Sequence, residues 1–203
     1  MNSFILGAVF SAAILNNLAP GPSMFLVLAR ASKAGLTAGL VASAGVVLAQ
    51  MIYLMVAGAV LILAIPLSES LFSGLRLFGA VLLVYMAWRL LADARGDPSG
   101  PAPRAERGDF FHGVLVGLAN PFNMIFMFAV LPQVLPAVGL TMTDGALVAV
   151  AIFLASALPK IILVIVADGL GRTNWLPRFW LNMAAAFALL TYAVMAVVNS
   201  IAA

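Results

Sequence analysis

Six apolar runs divide this chain, and each is long enough to cross a lipid bilayer as a helix. A membrane-spanning helix needs about 20 mostly apolar residues and satisfies its backbone hydrogen bonds internally. Gly45 and Gly58 lie within the second run, which could therefore be two shorter pieces. The pattern predicts an all-α integral membrane protein with six transmembrane helices. The runs cover residues 4–28, 37–63, 71–91, 110–131, 144–166 and 179–202.

Composition excludes most other classes of protein. Hydrophobic residues make up 65% of the 203 residues and charged residues 8%, whereas a soluble domain carries about 25% charged residues. The chain has no cysteine, and His112 is its one histidine, so thiolate and histidine-cluster metal sites are excluded. No acid, base and nucleophile pair at helical spacing, so we expect no enzyme and no cofactor. We interpret residues 1–203 as a single transmembrane domain.

One polar stretch, residues 92–109, is rich in proline, glycine and charge. We expect it to be an exposed cytoplasmic loop between two halves, residues 1–91 and 110–203. Most basic residues lie in or beside connections that are on the same side of the membrane as this loop. Since positively charged loops face the cytoplasm, both termini are expected outside it, and the net charge of +3 needs no nucleic acid or other anionic partner. Eight of the ten basic side chains lie in or beside the first, third and fifth connections: Arg30, Lys33, Arg89, Arg95, Arg104, Arg107, Arg172 and Arg178.

Three runs on each side of the loop predict two inverted three-helix repeats, because an odd number of spans reverses the direction of the second half. The sequence LAPGPSMF at 18–25 aligns without a gap with LANPFNMI at 118–125. In the same register, glycine and leucine at 39–40 match those at 139–140, and Gly45 matches Gly145. The first helix of each half thus carries a proline in equivalent surroundings.

These prolines are expected to break the two first helices at membrane depth. Irregular backbone is tolerated there only where it is buried in protein or lines a wet cavity, and the exposed helix ends can hold a polar solute. A packing kink is the alternative. We expect the two breaks to approach each other beside a polar cavity. The candidate binding residues are Asn16, Asn17, Pro20, Gly21, Pro22 and Ser23 in the first half and Asn120, Pro121 and Asn123 in the second.

Two further polar side chains are candidates. Lys160 lies within the fifth run, where a lysine costs roughly 2.5–3.5 kcal/mol to insert and therefore suggests a function. Lys160 either faces the cavity, where it could bind a substrate carboxylate or exchange a proton, or it snorkels to the cytoplasmic surface. Asp168 is an imperfect partner for its charge. Gln50 either binds substrate or joins helices. Tyr53 is expected to pack, and Asp144 to cap the fifth helix.

Small residues recur at helical spacing in and before the second run. This spacing predicts close packing against another helix without any ligand. The residues are Gly35, Gly39, Ala42, Gly45 and Ala49.

Three segments resemble the LysE/RhtB amino-acid exporters: residues 18–39 with the Pro-Gly-Pro and a glycine-containing turn, residues 75–91, and residues 113–133 with Asn-Pro and Leu-Pro-Gln. The resemblance implies a bacterial inner-membrane exporter of small amino acids or related metabolites, driven by ion coupling. Phe122 departs from that family, which often has lysine there, and Lys160 is the candidate substitute.

No acidic residue lies in the middle of a run, which favours a zwitterionic or neutral amino acid over a cationic one, since a buried cation needs a compensating charge. The expected coupling is to the proton gradient. A metal-ion or other small-solute exporter of the same fold is the alternative, although hard cations prefer clustered carboxylates. The expected partners are the small-molecule substrate and the lipid bilayer. A homodimer is left open.

Overall fold

The computed structural model describes residues 2–19, 21–62, 107–135, 141–172 and 178–201, with scattered helical positions between 74 and 91. All regular structure in these residues is helical. Pro20, most of the predicted third span and residues 92–106 of the predicted loop lie outside the described residues. The helices are α1 (Ser3–Leu18), α2 (Pro22–Ile62), α3 (Arg107–Ala119), α4 (Pro121–Ile125), a π-helix (Phe126–Val130), α5 (Leu131–Val134), α6 (Met142–Arg172) and α7 (Arg178–Ile201).

The first break separates α1 from α2. The side chain of Asn2 caps the start of α1, where Oδ1 accepts from the Phe4 N–H at 3.1 Å. The helix ends because Ala19 is extended, with φ −60° and ψ 129°. Helix α2 then begins with Pro22, a residue whose missing N–H is no loss in a first turn. The predicted break in the first apolar run is confirmed at this point.

A turn at Gly35 divides α2 into two segments. Gly35 has φ 84° and ψ −176°, a conformation that residues with a Cβ rarely adopt. The N–H of Leu36, freed by the turn, donates to Asp168 Oδ1 of α6 at 3.1 Å. Gly45 and Gly58 do not interrupt α2, so the alternative of two shorter pieces at these glycines is wrong. The helix is divided earlier, at Gly35, where Asp168 accepts a hydrogen bond from the next residue in the turn.

The second break interrupts the fourth apolar run. Asn120 is extended between α3 and α4, and the two flanking segments, Gly108–Ala119 and Phe122–Phe128, bend by 57°. Proline at 121 cannot continue the hydrogen bonding of α3. The chain then passes through one π-helical turn before α5. The predicted break at Asn120-Pro121 is therefore confirmed as well.

Helix α6 is continuous although it contains Pro159. Its start is capped reciprocally. Asp144 Oδ2 accepts from the N–H and hydroxyl of Thr141 at 3.0 and 2.8 Å, and the Asp144 N–H donates to Thr141 Oγ1 at 3.2 Å. This arrangement is a capping box. It confirms the predicted capping role of Asp144.

Helices α2 and α3 pack through glycine. A Cβ added to Gly45 would overlap the carbonyl oxygen of Phe110, and one added to Gly113 would overlap that of Ala42. A Cβ added to Gly117 would lie 2.6 Å from the Cβ of Ala49, which is also an overlap. The backbones thus touch directly, as the spacing of Ala42, Gly45 and Ala49 predicts. Gly39 meets Val164 of α6 instead, and the packing prediction is wrong for Gly35, which forms the turn.

An ion pair joins the same two helices at the end of the predicted loop. Arg30 Nη2 lies 2.5 Å from Asp109 Oδ1, and the Asp109 side chain is buried. The prediction that residues 92–109 form an exposed loop is therefore wrong at its end. Helix α3 begins at Arg107, and the charge of Asp109 is buried because Arg30 neutralises it.

Two described helices are long and apolar enough to cross a membrane, Pro22–Val60 and Met142–Gly169, and the bent pair at Asn120 makes a third if it is one span. Helix α1 is apolar but only 16 residues long. These elements agree with an all-α membrane protein. The six-span inverted repeat stays a prediction.

Candidate functional site

A cavity of about 230 Å³ lies between the two breaks and α6. Its walls are mixed, with amide and hydroxyl side chains from the breaks and apolar side chains mainly from α6. It has room for a small solute rather than a single water. The lining residues are Asn16, Asn17, Leu18, Ala19, Gly21, Ser23, Met24, Asn120, Asn123, Pro159, Lys160, Ile162, Leu163 and Val166.

Most of the residues predicted from the sequence meet at this cavity. Gln50 and Pro22 are buried but do not line it, and Pro121 is the first residue of α4. Pro20 lies outside the described residues. The predicted residues that line the cavity are Asn16, Asn17, Gly21, Ser23, Asn120, Asn123 and Lys160.

The two breaks contact each other directly. Asn120 Nδ2 donates to Ser23 Oγ at 3.0 Å, and both side chains are buried. A Cβ added to Gly21 would lie 3.2 Å from the ring of Phe122, which follows the second break. The sequence prediction that the breaks approach each other is thus confirmed. Two interruptions that are about 100 residues apart in the chain form one site.

Asn17, at the end of α1, connects three helices. Its Oδ1 accepts from Lys160 Nζ of α6 at 2.6 Å and from Gln50 Nε2 of α2 at 2.9 Å. Its Nδ2 donates to the Ala13 carbonyl one turn back in α1 at 2.9 Å, which fixes the orientation of the amide. Asn17 therefore presents its oxygen to both donors.

Gln50 joins the two halves behind the cavity. Its Nε2 also donates to Asn123 Oδ1 at 2.8 Å, so one amide group holds an asparagine from each half. The side chain is 1% exposed, and its Oε1 has no partner. Of the two sequence interpretations of Gln50, the geometry supports the one in which it joins helices.

Lys160 is 5% exposed and lines the cavity. Besides Asn17, the ammonium donates to the Ser156 carbonyl at 3.2 Å and to Ser156 Oγ at 3.1 Å. Snorkelling to the surface is therefore excluded in this structure. Asp168 is not its partner, since that carboxylate holds the turn at Gly35. Among the described lining residues no carboxylate balances this charge.

The second break satisfies its own freed carbonyls. In an unbroken helix Gly117 and Leu118 would accept from residues 121 and 122, but proline has no N–H and the Phe122 N–H donates to Asn120 Oδ1 at 3.1 Å. Asn123 Nδ2 instead donates to the Gly117 carbonyl at 3.0 Å, and the Tyr53 hydroxyl donates to that of Leu118.

The first break leaves a donor unused. Asn16 Nδ2 is buried and has no hydrogen-bond partner. A buried amide without a partner costs free energy, and this one belongs to a residue that lines the cavity.

Sequence reasoning missed two contributors. Ser156 supports Lys160 from one helical turn away, a spacing of four residues that the sequence displays. Tyr53 was expected to pack, and its ring does lie against Phe128, but its hydroxyl also supports the second break. No local signal indicates that role, because the partner carbonyl is 65 residues away. Ser156 does not line the cavity, so it positions Lys160 rather than contacting a solute.

Residues 14–200 match the model of the LysE type translocator family. The chain belongs to this family. It is therefore a multi-pass membrane protein of a transporter family, not of an enzyme family. The resemblance in its breaks is confirmed, and the family match extends through the C-terminal third of the chain.

A comparison with curated proteins adds one relative of this LysE type translocator. An uncharacterized membrane protein of Pseudomonas aeruginosa is 29% identical over 138 residues, which are 63% of this chain and 60% of the relative. The match thus spans about three fifths of that relative's length. No solved structure matches the chain.

Proposed function

We propose that this translocator is a secondary active exporter of amino acids or related small zwitterionic metabolites across the bacterial inner membrane, coupled to the proton gradient. The buried ammonium of Lys160 carries the proposal. A charge in a low-dielectric interior is costly unless it is paired, and the described cavity walls supply amide and hydroxyl oxygens but no carboxylate. The carboxylate of a solute supplies the missing charge.

The walls favour a zwitterion over a cation. A cationic side chain would meet Lys160 without a compensating carboxylate among the described lining residues. A metal ion is disfavoured for the same reason, because hard cations prefer clustered carboxylates and the described residues contain no group of three histidine, aspartate or glutamate side chains.

Lys160 is also the proposed proton-coupling group. Lys160 lines the cavity, and its ammonium is held by Asn17 and Ser156, neither of which is charged. A lysine in such surroundings can release and regain a proton as the cavity changes its exposure to water. Export then depends on pH through one residue.

Loss of Lys160 tests the proposal. In cells that lack their own exporters and are fed dipeptides, Lys160→Met should insert normally but lose amino-acid export or its pH dependence. Lys33→Met, which changes the other lysine of the chain away from the cavity, is the matched control. Unchanged export by Lys160→Met across pH 6–8 would remove the basis of the proposal.

We also propose that the fold is a six-span inverted repeat with both termini outside the cytoplasm. The supporting observations are the distribution of basic residues and the meeting of two equivalent breaks at one cavity. Single cysteines at Ser99 and Ser200 should react with impermeant reagents from opposite sides of the membrane. Reaction of both from the same side would contradict this topology.

A further inference from the structure

The end of α1 holds two carbonyl groups that lose their helical donors. In an α-helix the carbonyls of Asn16 and Leu18 accept from the N–H groups of residues 20 and 22. Both of those residues are prolines and have no N–H. The spacing of Pro-Gly-Pro thus removes two donors from the same helix end.

Both carbonyls belong to residues that line the cavity. Helix α1 ends at Leu18, and the N–H of Ala19 is already used, since it donates to the Leu15 carbonyl at 3.1 Å. Asn16 and Leu18 both line the cavity. In the described part of the chain no side chain donates to either oxygen, in contrast to the second break with its Asn123 and Tyr53 donors.

Acceptors of this kind suit a cationic donor. Carbonyl groups at the C-terminal end of a helix carry partial negative charge, and broken membrane helices use such carbonyls to coordinate cations. An unsatisfied backbone group at membrane depth costs several kcal/mol. A primary ammonium offers three N–H donors and a positive charge, and it would satisfy both oxygens at once.

We propose that the carbonyl oxygens of Asn16 and Leu18 form a binding subsite for a primary ammonium group. The proposal rests on the proposed export function and deepens it, because the same cavity then has a separate partner for each charge of a zwitterion. Lys160 takes the carboxylate. The subsite selects solutes with a free amino group and rejects their acylated forms.

The test restores a donor to one carbonyl. Pro22→Ala adds a backbone N–H that can bond to Leu18, and Pro20→Ala does the same for Asn16, so one variant substitutes for the other if either fails to fold. The probes are alanine, propanoate, which lacks the amino group, and ethylamine, which lacks the carboxylate. Their dissociation constants are measured by calorimetry on the purified full chain in lipid nanodiscs.

In Pro22→Ala, alanine and ethylamine should bind about tenfold more weakly, the size of one hydrogen bond to a charged group, whereas propanoate should bind as before. Lys160→Met should show the opposite pattern, with propanoate and alanine weakened and ethylamine unchanged. Pro121→Ala makes the same chemical change at the second break. It should leave the ratio of ethylamine to propanoate affinity unaltered, because Asn123 already satisfies Gly117.

Equal weakening of ethylamine and propanoate in both proline variants, or no weakening of ethylamine in either, would overturn the subsite. These outcomes differ from failure of the proposed function. If the wild-type chain exports no amino acid but ethylamine still responds to Pro22→Ala, the subsite stands and the export function falls. If amino acids are exported but ethylamine and propanoate respond alike, the export function stands and the subsite falls.

Discussion

The two helix breaks begin from the same chemistry and end in different states. Each uses proline to stop an apolar helix beside the cavity. The second break returns its freed groups to the protein, since Asn123 and Tyr53 donate to the carbonyls of Gly117 and Leu118. The first keeps the Asn16 amide unpaired at the cavity.

This difference suggests separate roles for the two breaks, one in supporting the cavity wall and one in recognising a solute. A break whose groups are all satisfied is rigid and gains nothing from a solute. A break with unpaired groups gains free energy when a solute with matching groups binds. We therefore propose that the second break is a fixed wall of the cavity and that the first break contacts the solute.

The largest expected effect comes from filling the contact between the breaks. Gly21→Leu should reduce export to background, because a Cβ there already lies 3.2 Å from the ring of Phe122 and the remaining atoms would enter the cavity. Gly7→Leu in α1, where nothing lies within 4 Å, is the matched control. Both variants are compared by export and by the amount of protein in the membrane fraction. Normal export by Gly21→Leu would show that the breaks are packing kinks and do not bind the solute.

Exchanging one asparagine in each break should separate the two roles. Asn123→Leu leaves the Gly117 carbonyl and one Gln50 N–H without partners, at about 1–3 kcal/mol for each buried group, so the chain should unfold at a lower temperature. Asn16→Leu removes an amide that has no partner, so stability should hold while export falls. Thermal unfolding in detergent and export are measured on both variants. If the two respond alike, the breaks do not differ in role.

The smallest expected effect concerns the support of the second break from α2. Tyr53→Phe keeps the ring contact with Phe128 but removes the donor to the Leu118 carbonyl. It should lower the free energy of unfolding by about 1 kcal/mol and leave the export rate per folded molecule unchanged. A loss of export at full stability would place Tyr53 in the binding machinery instead.

Local chemistry explains what the sequence could predict. Proline and glycine at the breaks and the packing of Ala42, Gly45 and Ala49 in α2 follow from backbone rules that depend on a few neighbouring residues. The site residues could be proposed because polar side chains are rare in an apolar chain. The alignment of the two halves predicts that they meet at one cavity.

The features that the sequence could not predict depend on contacts between segments that are distant in the chain. The donors that satisfy the second break come from Tyr53 in another helix and from Asn123, whose amide folds back by six residues. The burial of Asp109 depends on Arg30, which is distant in sequence. Patterns of hydropathy carry no information about such pairs.

The close approach of α2 and α3 also decides where the chain can be engineered. Replacing a helical glycine with alanine is a common way to stabilise a protein, worth about 1 kcal/mol in a helix interior. Gly45 and Gly113 are closed to it, because any Cβ there would push the two backbones apart. Gly58 lies in the same helix α2 with nothing within 4 Å. A more thermostable variant for structural work should therefore begin at Gly58 and leave the α2–α3 contact untouched.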